Sequence, residues 1–112
     1  MHAIELNQDG ATTTLNTATV GWAVQDYAQH QVQISGLTSG QTATLYTLSP
    51  ESRSGQWVEV KEVSGTDAAA HMIVLTPDSG RHANLKIEFS ASGGSALIVL
   101  NSHYSAAHHF AN

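Results

Sequence analysis

Apolar residues recur at every second position along most of this chain, and no other feature constrains its fold as much. Ile4 and Leu6 flank Glu5. Val32 and Ile34 alternate with Gln31, Gln33 and Ser35. Leu85, Ile87 and Phe89 alternate with Lys86 and Glu88. A period of two puts successive side chains on opposite faces of an extended backbone, so each run predicts a half-buried strand. No stretch shows helical periodicity. Turn signals separate the runs: Asn7-Gln8-Asp9-Gly10, the Gly/Ser/Thr connection 36–40, the polar loop 49–55 with Pro50, then Pro77-Asp78-Ser79-Gly80 and Ser92-Gly93-Gly94.

Between these signals the sequence predicts further strands. Residues 11–19 are Thr-rich and β-prone, and Val20, Trp22 and Val24 alternate. Thr42 to Leu48 is a strand. So is Trp57 to Val63, with Val58 and Val60 expected on one face and Trp57 and Val63 on the other. Met72 to Thr76 is short and apolar. Ala96 to Leu100 is apolar on both faces, which predicts a central strand. The 42–48 and 57–63 strands are expected to pair across 49–55, and 85–90 with 96–100 across Ser92-Gly93-Gly94. Short connections leave no room for crossover helices, so pairing is antiparallel. The expected fold is an all-β antiparallel sandwich of seven or eight short strands, immunoglobulin-like or jelly-roll, with no substantial helix. A single domain spans 1–102. From Asn101 the pattern dissolves, and 103–112 read as a C-terminal tail or arm.

The chain of 112 residues has no cysteine. A disulfide framework, a cysteine zinc site and a thiol nucleophile are thereby excluded. Charged residues make up 12% of the chain, about half the usual share, and the net charge is −5. The basic residues Arg53, Lys61, Arg81 and Lys86 are scattered, which argues against a nucleic-acid partner. The polar surface consists instead of Thr, Ser, Gln, Asn and Gly, and such groups lose less than full charges when desolvated against another protein. The start, Met1-His2-Ala3-Ile4, has neither a basic stretch nor an apolar run, so no signal peptide is expected. The apolar run at 96–100 is far too short to span a membrane. A protein that stays soluble where it is made, unless it leaves with an assembly, fits these signs.

Motifs that carry chemistry are missing. Gly93-Gly94-Ser95-Ala96-Leu97 fails the nucleophile-elbow pattern and reads as a turn. Glu59 and Glu62 lie at odd spacing on one strand, which argues against a paired-carboxylate site. No Asp-X-Asp-X-Asp-Gly calcium loop occurs, and no Gly-rich turn carries the lysine of a phosphate cradle. The seven histidines are the compositional oddity. His103, His108 and His109 lie close in sequence, with His2 within reach if the termini meet. Their spacing matches no metal motif, so a polar or interface-packed tail is expected and no metal or cofactor. Several histidines at one interface would also charge and repel in mild acid. Trp22 and Tyr27 fall in or beside a loop. They could form a sugar-stacking platform, but sugar-binding polar residues do not cluster near them, and a core cap or partner contact suits Trp22 better. An enzyme is not expected.

The segment from Val32 to Leu100 carries a resemblance. It contains Val-Gln-Ile-Ser-Gly, then Thr-Ala-Thr-Leu-Tyr-Thr-Leu-Ser-Pro-Glu-Ser, Gly-Gln-Trp-Val-Glu-Val, and Leu-Lys-Ile-Glu-Phe-Ser-Ala-Ser-Gly-Gly-Ser-Ala-Leu-Ile-Val-Leu. This resembles small β-sandwich virion proteins of tailed bacteriophages, of the head-decoration or fibre-associated sort. These motifs are turn and core signals, and Glu51 stands where Asp is commoner, so no binding residue transfers. Residues 32–38 also resemble fibronectin type III domains. The resemblance implies a structural virion protein, a capsid decoration protein bound to the outside of a phage head through protein–protein contacts. Its partners would be the major capsid protein or another virion protein, with homo-oligomerisation expected and no nucleic acid or membrane. Trp22, Tyr27, Tyr104 and Phe110 are the expected partner contacts. The alternative is a carbohydrate- or cell-surface-binding module.

Overall fold

The computed structural model describes residues 2–24, 27, 29–48, 55–65, 84–91 and 93–103, together with the backbone of 71–75. Eight strands and one helical turn are described: β1 (His2–Asn7), β2 (Thr12–Leu15), α1 (Thr17–Val20), β3 (Gln29–Ser35), β4 (Thr42–Leu48), β5 (Trp57–Ser64), β6 (His71–Leu75), β7 (Asn84–Phe89) and β8 (Leu97–His103). They form two four-stranded antiparallel sheets, β1-β8-β3-β6 and β2-β7-β4-β5. The sandwich expected from the alternation is therefore present.

The pairing nests. Strand β1 pairs with β8, β2 with β7, β3 with β6 and β4 with β5. A long antiparallel ribbon has been rolled up, and the roll adds the contacts β3–β8 and β4–β7. This is the jelly-roll arrangement, and it decides between the two sandwich topologies the sequence left open. Among sequential strands only β4 and β5 are neighbours in a sheet.

The nesting corrects one expected hairpin. Strands β7 and β8 lie in different sheets. The connection between them crosses the sandwich: Phe89 N–H donates to Ala11 O (2.7 Å), Ser90 N–H to Thr42 O (2.9 Å), and Gln8 N–H to Ala96 O (2.8 Å). Two glutamines brace this end. The buried Gln41 donates through Nε2 to Ala91 O (3.2 Å) and Gln8 Oε1 (3.3 Å), while its Oε1 accepts from Thr38 N–H (3.0 Å). Gln8 donates in turn to Gly10 O and Ala91 O. Strand β8, apolar on both faces, sits centrally between β1 and β3, as its sequence predicts.

Inward-facing positions form the core, with Leu15, Val32, Ile34, Leu45, Leu85, Ile87, Ile98 and Leu100 fully buried. Two local features depart from simple alternation. Residues 16–24 do not extend as a strand. Asn16 caps α1, its Oδ1 accepting from Ala18 N–H (3.1 Å) and Thr19 N–H (3.2 Å), while Thr19 Oγ1 accepts from Asn16 N–H (2.9 Å). Gly21 then closes the turn at φ 90°, a left-handed conformation suited to glycine. Val20, at the end of α1, and Val24, beyond the Gly21 turn, still reach the core. In β5, the register with β4 shifts between Leu45 and Tyr46: Leu45 pairs with Lys61 but Tyr46 with Glu59, leaving Val60 as a bulge. Val63 therefore faces the core opposite Ala43, while Trp57 pairs with Leu48 on the outer face. Trp57 and Val63 do not share a face.

Strand β8 continues past Asn101, and His103 pairs with Gln29. Of the expected arm, 103–112, His103 thus belongs to β8, and the rest, with Tyr104 and Phe110, lies outside the described residues.

Candidate functional site

Two places on the sandwich bring side chains of functional type together. The first is at the end of the inner face of the β1-β8-β3-β6 sheet. Register aligns His2, Ser102 and His30 across β1, β8 and β3, one step beyond the row of Ile4, Leu100 and Val32. The core thus turns polar at its last layer. Trp22, carried in by α1 and the Gly21 turn, lies over this layer and donates its indole N–H to Ser102 Oγ at 3.1 Å. Ser102 Oγ also bonds His30 Nδ1 at 2.8 Å. The His2 ring stacks on Trp22 (centroids 5.0 Å apart, planes at 18°) and meets Tyr27 edge-on at 5.3 Å.

A serine bonded to a histidine has the outline of a nucleophile and its base. Here both residues are fully buried, and the Trp22 indole takes up the serine oxygen's accepting side. A substrate carbonyl has no approach to that oxygen. The cluster is a polar clasp that ties β1, β8, β3 and the 21–27 connection together.

Of the expected contact residues, the structure brings Trp22 and Tyr27 together around His2. It does not offer them as an open platform: Trp22 is half-buried with one face on His2, and Tyr27 is buried. His2 pairs with Ser102, and His103 is the next residue of β8, so the two histidines point to opposite faces of the sheet. The His103 Nε2 atom is buried with no hydrogen-bond partner among the described residues. Among those residues, no group of three or more metal-ligating side chains converges.

The second place is the outer face of the β2-β7-β4-β5 sheet, and the sequence reading missed it. Its cross-strand rows are Thr12, Glu88, Thr44 and Glu62, then Thr14, Lys86, Tyr46 and Glu59, with Leu48 and Trp57 beyond. Lys86 Nζ lies over both aromatic rings, 4.7 Å from the Trp57 centroid and 5.3 Å from that of Tyr46, and 3.6 Å from Glu88 Oε1. Thr44 Oγ1 donates to Glu62 Oε2 at 3.4 Å. Desolvation on the sheet face, the charge of Glu88 and a hydrogen bond to it, and the charges of Glu59 and Glu62 all push the Tyr46 hydroxyl above its ordinary pKa of 10.0. The signal that would have revealed this patch is the bulge at Val60, which places Trp57 beside Tyr46. A bulge leaves little trace in a single sequence.

Compared with known proteins, the sequence matches no family model and no curated protein. The fold does have a solved counterpart. A chain of Bacillus endospore appendages, described as a novel family of disulfide-linked pili, superposes with a TM-score of 0.51. The likeness covers 92% of this chain and 84% of that one at 9% identity. At that identity the comparison speaks to the fold alone, and it agrees with the all-β sandwich.

The outer face of the other sheet is chemically different. Strand β3 presents Gln29, Gln31, Gln33 and Ser35, and β8 presents Leu97, Val99, Asn101 and His103. From β1 come Ala3, Glu5 and Asn7. Glu5 is the sole formal charge that these three strands place there. Among the described side chains, the sandwich therefore has one nearly neutral amide and aliphatic face, formed by β1, β8 and β3, and one charged, aromatic face.

Proposed function

We propose that this chain is a structural protein of a virion, a capsid decoration protein that attaches to the outside of a bacteriophage head by protein–protein contacts. The observation that carries the reading is the nearly neutral outer face of the β1-β8-β3-β6 sheet. Interface centres are depleted in charge, and neutral amides and aliphatics can be desolvated at lower cost than carboxylates or ammonium groups. Gln31, Gln33, Val99 and Asn101 at the centre of that face suit burial against a shell subunit. An area near 800 Å² per partner is enough for stable attachment. The phage resemblance of residues 32–100 and the fold likeness to a subunit of a polymeric appendage both support a building-block role. With no cysteine in the chain, attachment would not use disulfides.

The reading places partner contacts on the neutral face and on the arm that follows His103, where Tyr104 and Phe110 supply aromatic anchors. Trp22 and Tyr27 would act indirectly, by fixing the strands from which the arm departs. The test is co-sedimentation of the untagged chain with phage heads stripped of decoration. Saturable pelleting at a fixed ratio to the shell subunit is expected, with loss of pelleting in Val99→Lys and in a chain truncated after His103. If the full chain stays in the supernatant at micromolar concentration, the decoration role is wrong.

A further inference from the structure

We propose that the outer face of the β2-β7-β4-β5 sheet is a carbohydrate-binding site, with Trp57 and Tyr46 as the stacking surface and Lys86, Glu88, Glu59 and Glu62 as hydroxyl partners for a neutral pyranoside. The inference does not depend on the decoration role and concerns the opposite face of the sandwich. Trp57 and Tyr46 are diagonal neighbours on β5 and β4, a relationship that sets side chains about 7–8 Å apart. That spacing suits a single sugar ring or two linked ones. Both aromatics are half-buried, and what lies over their rings is the mobile end of one lysine side chain.

The polar groups around the rings favour a hydroxyl-rich ligand over a protein surface. Glu59, Glu62 and Glu88 accept and Lys86 donates, while the Tyr46 hydroxyl is bonded to Glu88 and can accept. Lys86 and Glu88 are already oriented by their ion pair, and Glu62 by Thr44. Full charges at the centre of a patch disfavour protein docking, where charge is depleted. Sugar hydroxyls replace the hydrogen bonds of water to those same groups without requiring a counter-charge. Among the described residues, three carboxylates against one ammonium also set specificity: sialylated, sulfated and uronic-acid glycans are repelled, and neutral ones admitted. In the free protein the ammonium of Lys86 lies over both the Trp57 and the Tyr46 rings. A stacked sugar takes over that position while Lys86 keeps its bond to Glu88.

The experiment is a printed array of neutral and acidic glycans probed with the full chain, followed by native gels containing any neutral polysaccharide that scores. Binding to at least one neutral pyranosidic glycan is expected. Trp57→Ala should weaken it tenfold or more and Lys86→Gln severalfold, with unchanged circular dichroism. Tyr46→Phe, which keeps the ring and the fold, should weaken it less than Trp57→Ala. Val99→Lys on the opposite face should bind as the parent does. An array with no neutral glycan bound, binding confined to acidic glycans, or equal binding by Trp57→Ala and the parent would each overturn the site.

Discussion

Ser102 does more for this fold than its size suggests, because one oxygen serves two strands and a loop. It accepts from the Trp22 indole and bonds His30, and both it and His30 are fully buried. Ser102→Ala removes the oxygen that the Trp22 indole and the buried His30 share. Loss of a partner at a buried polar group costs about 1–3 kcal/mol, so the variant should show a clearly lower Tm by tryptophan fluorescence. An unchanged Tm would mean that water reaches the layer. Gly65 is a second sensitive point. Its N–H donates to Gln41 O at 2.8 Å, and a Cβ there would collide with the carbonyl oxygen of Thr38. Gly65→Ala should cost about 1–3 kcal/mol, the usual range for overpacking, measured by urea denaturation. Tyr46 offers a test by titration. Its raised pKa means that the folded state holds the phenolic proton more tightly than the unfolded chain, whose tyrosine ionises near 10.0. Its contribution is therefore complete below pH 10 and is lost as pH rises through the higher folded value. Absorbance at 295 nm should show a late tyrosine ionisation that disappears in Tyr46→Phe. A late phase that survives in that variant would place the perturbed hydroxyl elsewhere.

Element by element, the fold's stability is tied to short-range devices that align the strands. The Asn16 cap is one. It accepts from two backbone N–H groups of α1, a turn whose Val20 lies in the core. Asn16→Ala should reduce stability by about 1 kcal/mol by denaturant unfolding, with little change in the cooperativity of the transition. These same elements show how far the sequence could be read. Strands β3 and β7 were legible because one buried face imposes strict alternation, and β8 because Leu97 and Val99 carry apolar character onto its outer face as well. Residues 16–24 misled because Val20, Trp22 and Val24 satisfy a strand period while Asn16 and Gly21 enforce a turn. The bulge at Val60 misled about Trp57, since a single extra residue reverses every face beyond it. The β7–β8 link misled because Ser92-Gly93-Gly94 has hairpin chemistry, yet its length also serves a crossing between sheets. Of the candidate site, Trp22 and Tyr27 were recognised as notable but not their closure by His2. The Tyr46, Trp57 and Lys86 patch depended on the bulge and was out of reach.

At the scale of the whole molecule, the nesting of strands joins the two ends of the chain: β1 pairs with β8, and His2 lies opposite Ser102. Nearly all pairings are non-local, so folding is expected to be slow relative to helical proteins of this size. The result is a plate with two unlike faces, and that asymmetry governs association. If copies associate through the neutral face, the contact carries few ion pairs to be screened. Light scattering of the untagged chain should then give the same mass in 0.05 M and 1 M NaCl, a range over which the Debye length shrinks from beyond 10 Å to about 3 Å. Gln31→Lys combined with Val99→Lys would set like charges on adjacent strands of the buried face in each copy. That pair should reduce any oligomer to monomer, while its Tm stays close to the parent's because both positions are on the surface. Glu59→Gln on the charged face should leave the mass unchanged. An oligomer that dissociates in high salt, or resists the double lysine variant, would move the interface to the charged face. It would then compete with the sugar site for Trp57 and Tyr46.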